Sequence, residues 1–162
     1  QNDAGQEPAW LHSHEHEPNP APPSPDLALV FHRPDGTQQV VTPDDLNQLP
    51  QITVPDCYIV STGHGTSGPF VFHGVQLLDV ITAYLPAGVA WRQADVVSAD
   101  GFGNRVLAEE MRRPIPGRPI MLATQVDGRP LTRAEGLVRL IVPTETDDAL
   151  RQVKWVARID IR

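Results

Sequence analysis

The stretch richest in groups able to do chemistry is Ser61-Thr62-Gly63-His64-Gly65-Thr66-Ser67-Gly68-Pro69. Its glycines and hydroxyl side chains describe a loop that brings backbone N–H groups and hydroxyls close to a ligand, and they equally describe a plain turn. His64, flanked by Gly63 and Gly65, has little steric cover and reaches either a ligand or water. A second set is His12, His14 and His16, alternating with Ser13 and Glu15. In an extended strand the three imidazoles share one side and suit a divalent metal, while the plain reading is a solvated polar tail. The single cysteine, Cys57, excludes an internal disulfide and a cysteine-based zinc cluster. Beside Tyr58 in an apolar run it reads as a small core residue. No catalytic triad, suggestively paired carboxylates, P-loop or G-x-G-x-x-G is present.

These groups need elements to position them. The chain of 162 residues is long enough for one domain with a proper core, and its net charge of −7 argues against nucleic acid as the partner. No run approaches the length of apolar sequence that spans a membrane as a helix. The chain starts at Gln1 without a methionine or an apolar signal segment, and the expectation is a mature secreted product or a trimmed chain. Residues 1–26, rich in proline with Trp10 and Leu11 as almost the only large apolar groups, read as an arm that buries too little surface to offset its ordering entropy. The domain proper is expected over 27–162.

Within it, Leu27 to Phe31 and Gln39 to Val41 read as strands around a Pro34-Asp35-Gly36 turn. Thr42-Pro43-Asp44-Asp45 carries an N-cap, a proline suited to the first helical position and a capping box. Ile52 to Val60 is extended, with Pro55 marking an edge or bulge. The glycine stretch follows as a loop, then a short strand at Phe70-Val71-Phe72. Gln76 to Leu85 is an amphipathic helix with Leu77, Leu78, Ile81 and Leu85 on its core face. Further strands are expected at Ala94 to Ser98, Ile120 to Val126, Leu137 to Val142 and Lys154 to Ile161. A tight turn is expected at Asp100 to Asn104, a helical turn or two at Leu107 to Arg112, and a short helix capped by Thr146-Asp147-Asp148. Short mixed strands and short helices make an α+β domain.

In chain order, F-x-F-x-GV-x-L-x-DV at Phe70 to Val80, S-x-DGF at Ser98 to Phe102, LAT-x-x-DG-x-PL at Leu122 to Leu131, G-x-x-RLIVP at Gly136 to Pro143 and VKWV-x-x-I-x-I at Val153 to Ile161 form a set. Together they resemble the molybdopterin-binding domain of the sulfite oxidase family, over roughly residues 27–162. The resemblance implies that family's mixed α+β fold and a molybdenum ion held by one cysteine thiolate just before the GV-x-L helix. Spacing from Gly74 puts that ligand position at Ser61, where this chain has no cysteine. The alternative is that Cys57 takes the ligand place. A hydroxyl is a poor substitute for a thiolate on a soft, redox-active metal. The chain resembles in particular the periplasmic proteins that bind a reduced pterin without metal and signal to membrane-bound enzymes making and degrading cyclic di-GMP.

That resemblance implies a non-catalytic, periplasmic pterin-binding protein acting on the sensor domain of a diguanylate cyclase or phosphodiesterase in biofilm control. The alternative is a small molybdopterin-dependent oxidoreductase with Cys57 on molybdenum. A pterin is a flat heterocycle wanting an aromatic face and in-plane polar groups. Trp155 is the expected stacking partner, or equally a core tryptophan. Ser61, Thr62, His64, Thr66 and Ser67 are expected at the ring edge. Asp100 would pair with the amidine-like edge or else form its own turn, and Phe102 would close the pocket or lie in the core. Arg112, Arg113, Arg151 and Lys154 suit a phosphate or glutamyl tail, only one or two of them being expected to matter.

Overall fold

The computed structural model describes residues 28–61, 65–143 and 152–162, without the side chains of Val60 and Ser61. The arm with His12, His14 and His16, residues Thr62 and His64, Arg151 and the expected Thr146 helix all lie outside the described residues. Two sheets hold the fold. The first runs β2 (Gln38–Val41), β1 (Leu29–His32), β10 (Val156–Ile161), β5 (Gln93–Ser98), β6 (Gly103–Leu107). All its pairings are antiparallel except β1 with β10, which pair in parallel at Val30↔Arg158 and His32↔Asp160. The second runs β3 (Gln51–Ser61), β4 (Gly65–Gln76), β7 (Met121–Val126), β8 (Arg129–Pro130), with β9 (Arg139–Ile141) also on β7.

Alternation along the strands sorts the side chains into two cores. Val75, Leu122 and Leu140 join Phe31, Val96 and Ile159 of the first sheet in the larger one, with Leu77, Val80 and Ile81 of α2 (Leu77–Tyr84). Met121, Ala123 and Ile141 turn the other way and meet Val54, Cys57, Phe72 and Leu131 in a smaller one. Gly74 sits where β4 crosses β7: a Cβ there would collide with the Leu122 carbonyl and stand 2.9 Å from Ala123 Cα. The glycine of the GV-x-L stretch is thus a close-approach residue.

The capping box forms as expected. Asp45 N–H donates to Thr42 Oγ1 (3.2 Å) and Thr42 N–H to Asp45 (2.9 Å), starting α1 (Pro43–Asn47). The α+β expectation holds: the first sheet is mixed, the helices are few and short among the described residues, and most strands are short, β3 and β4 being the long ones. Two expectations need correction. The Ser61 to Pro69 stretch is not a loop throughout. Strand β4 already begins at Gly65, with Thr66 opposite Val60 and Ser67 opposite Ile59, because ladder pairing continues past the composition signal for a turn. The expected turn at Asp100 to Asn104 is shorter, since Gly103 and Asn104 already pair with Val97 and Val96 in β6.

Candidate functional site

The G-x-x-R glycine, Gly136, lies beside Lys154. A Cβ on Gly136 would come 2.9 Å from Lys154 Cβ, and its φ of 113° favours glycine in any case. This close approach lets the 132–140 segment run along the 152–156 segment. Trp155 N–H donates to Gly136 O (2.8 Å), Val156 N–H to Val138 O (2.9 Å) and Leu140 N–H to Val153 O (2.8 Å). Glu135 pins the turn from outside, taking two hydrogen bonds from Arg129 (2.6 and 2.7 Å) and one from Thr132 N–H (2.9 Å). The Arg129 bond chiefly, then the Thr132 amide, holds the Glu135 carboxyl at about 2.

Inside the corner lies Arg139, only 8 % exposed. One terminal nitrogen donates to Gln152 Oε1 (3.2 Å) and the other to Glu135 O (3.4 Å), while the buried Nε has no partner among the described residues. Burial pulls its pKa down to about 10, against the opposing Glu135 charge, so it stays protonated at neutral pH. Half-buried Lys154 is lowered too, by burial first and by the Arg139 charge second. Two cations thus share one corner, and among the described residues the carboxylate that acts on both, Glu135, is already committed to Arg129. A buried cation short of partners calls for an anion.

Trp155 closes the corner. It is 4 % exposed, its indole N–H donates to Arg133 O (2.6 Å), and Lys154 Nζ stands 5.7 Å from its ring centre. One side of the ring therefore belongs to the chain's own lysine. Its carbonyl accepts from Ala99 N–H (2.8 Å), which draws the 98–102 turn alongside. There Asp100 Oδ1 accepts Phe102 N–H (3.0 Å), the turn-forming role, and Phe102 is buried in the larger core. Asp100, Phe102, Lys154 and Trp155 are therefore brought together. Arg113 is not part of this group: it is exposed at the end of α3 (Ala108–Arg112), against Glu109 (3.2 Å). Thr66 and Ser67 are exposed on β4, and Ser61 ends β3 opposite Gly65.

Arg139, Gln152 and Glu135 are the members the sequence reading overlooked. The signal was an arginine opening the otherwise apolar run Leu140-Ile141-Val142, a charge that burial in a strand forces to find a partner.

Cys57 is a different environment. It is 2 % exposed in the smaller core, its Sγ lies near the carbonyls of Val54 (3.5 Å) and Pro55 (3.7 Å), and burial raises its pKa despite Arg118 nearby. Arg118 spends its guanidinium on the carbonyls of Pro55 (2.8 Å), Asp56 (3.0 Å) and Pro143 (3.0 Å). The Sγ is turned into the smaller apolar core and towards backbone carbonyls, with no cluster of metal-ligating side chains grouped around it among the described residues. The donor set therefore fits the anionic end of a molybdopterin at Arg139 and Lys154, and does not fit a metal at Cys57. Among the described residues, no three His, Cys, Asp or Glu side chains are grouped to hold a metal ion.

The solved structure of the sulfane dehydrogenase SoxCD from Paracoccus pantotrophus is similar, with a TM-score of 0.66 at 24 % identity. The likeness covers 83 % of this chain and 37 % of that one, so this chain spans well under half its length. No curated protein matches. The profile of a family described as the oxidoreductase molybdopterin binding domain matches residues 26–162. The chain belongs to the oxidoreductase molybdopterin binding domain family.

Proposed function

We propose that this chain binds a phosphorylated pterin of the molybdopterin type, its phosphate seated on Arg139 and Lys154 and its ring system towards the Asp100 and Trp155 side of the corner. The carrying observation is Arg139: buried, protonated and with an unpartnered Nε. A pterin without a phosphate leaves that charge uncompensated, so the corner favours molybdopterin over a free reduced tetrahydropterin, as does the family. Molybdenum, where a chain holds it, supplies two-electron redox chemistry, and the protein residues proposed here bind and orient the organic part alone. The test is to extract and oxidise the pterin carried by the purified protein and to treat it with phosphatase. A phosphatase-sensitive fluorescent pterin, lost in Arg139→Met, supports the reading, and a pterin indifferent to phosphatase or to Arg139 overturns it.

Two roles build on that binding. The family and the sulfane dehydrogenase likeness support an oxidoreductase at least as well as a sensor, and in that role Cys57 would be the metal's thiolate. The burial of Cys57 speaks for the other, a binding module without chemistry of its own; its place in the periplasm and its partner, the sensor domain of a membrane-bound cyclic di-GMP enzyme, rest on the sequence resemblance alone. Substrate-independent binding, with unchanged pterin content in Cys57→Ser, supports the module. Dye-linked oxidation of a sulfur substrate that disappears in Cys57→Ser supports the enzyme.

A further inference from the structure

A second charged corner lies at the end of the first sheet. Arg92 N–H donates to Arg162 O (2.7 Å) and Ala108 N–H to Arg92 O (2.8 Å), which gathers Arg92, Arg162 and the start of α3. Trp91 packs half-buried against the larger core, and the Arg112 guanidinium lies 4.8 Å from its ring centre. Val89 and Leu107 add apolar surface, 38 % and 47 % exposed. The carboxylates nearby are occupied. Asp95 is buried between Arg105 (2.7 Å) and Arg162 (3.2 Å), and Glu109 pairs with Arg113. Among the described residues Arg92 and Arg112 meet no carboxylate. Cationic guanidinium over tryptophan, with flanking apolar groups, is the composition of a contact surface.

From this we infer that residues 1–27 are the occupant, docking on the Trp91 corner within the same chain. That segment carries Asp3, Glu7, Glu15, Glu17 and Asp26 without a lysine or arginine, and Trp10-Leu11 offers the matching apolar pair. It holds most of the chain's net charge of −7. The chain enters the fold at Leu29, two strand positions from β5 (about 10 Å at ~4.8 Å per strand), and the corner lies at the far, Arg162 end of β10, about 17 Å along the strands at ~3.3 Å per residue, a span of about 20 Å. A chain of the length from Trp10 to Leu29 has a random-coil reach of about 23 Å, comparable to that span, so the corner is within range and the tether supplies roughly millimolar effective concentration. Docking covers Trp91, Val89 and Leu107 until a competing anionic partner or salt displaces the segment.

The test uses the full chain with a nitroxide on Ser13→Cys, Cys57 being buried, and follows amide and indole resonances. Expected is loss of intensity at the Trp91 indole and the Leu107 amide, and not at Ile52 of the second sheet. The loss should be reversed near 1 M NaCl, where the screening length falls to about 3 Å, and in Arg92→Gln/Arg112→Gln with the remaining spectrum unchanged. Uniform intensities at low salt would overturn the proposal. So would intensity loss in a mixture of labelled and isotope-enriched chains, which assigns the corner to a second copy, or loss insensitive to salt and to the arginine variant.

Discussion

Replacing Arg139 by methionine should separate binding from stability. The drop in the Arg139 pKa from its ordinary value to about 10 means that the fold disfavours the charged form by about 3 kcal/mol, at ~1.4 kcal/mol per pH unit. Its two hydrogen bonds, at 3.2 and 3.4 Å, return about 1 kcal/mol each. Methionine fills the volume flexibly and has no polar atom to satisfy. The ligand-free variant should therefore be more stable by about 1 kcal/mol, which for a chain this size raises Tm by about 2–4 °C. The sign with pH follows from linkage. Below about 10 both native and unfolded arginine are protonated and the penalty is complete. Above about 10 the native state releases its proton before the unfolded chain does, so the wild type recovers and the variant's advantage shrinks. In the same thermal scans, inorganic pyrophosphate should raise the Tm of the wild type and leave Arg139→Met unmoved. A variant several degrees less stable that still responds to pyrophosphate would refute the reasoning, because Arg139 would then be a satisfied structural cation.

Further outcomes follow from neighbouring groups. The Glu135 carboxyl, at about 2 in the fold against 4.5 unfolded, contributes stability that is present above about 4.5 and is lost as pH falls towards 2. Glu135→Gln should flatten that acid limb in urea unfolding measured from pH 6 to pH 3. Cys57, buried with a raised pKa, should react with a disulfide reagent only as fast as the protein unfolds, and Cys57→Ser should cost about 1–3 kcal/mol by placing a hydroxyl in an apolar cluster. Gly74→Ala must part β4 from β7 and should cost at least ~1–3 kcal/mol in chemical unfolding. Gly136→Ala should weaken pyrophosphate binding more than it lowers Tm, since the new Cβ displaces Lys154.

Much of the fold was legible because local chemistry and tertiary structure agree. The Thr42 capping box, the Leu77 helix and the strands around Val96, Leu122 and Ile159 each carry a short-range signal that packing reinforces. The glycine stretch misled because Gly65, Thr66 and Ser67 look like a loop in composition, while their conformation is decided by ladder pairing to Val60 and Ile59, a long-range fact. Lys154 stood out by its charge as suited to a phosphate, and the fold sets it beside Arg139. Arg139 was not, because the signal is its burial, and burial follows from the approach of Gly136 to Lys154, which no spacing reveals. Asp100 and Phe102 were selected from a turn, and what joins them to Trp155 is one bond from Ala99 N–H to the Trp155 carbonyl.

The central claim is that the chain holds a phosphorylated pterin through Arg139 and Lys154 without a thiolate from Cys57. The most direct measurement is the pterin and molybdenum content of wild type and Cys57→Ser, purified together under anaerobic conditions. The account predicts equal pterin in both and no molybdenum that depends on Cys57. Near-stoichiometric molybdenum in the wild type, lost together with the pterin in Cys57→Ser, would contradict it.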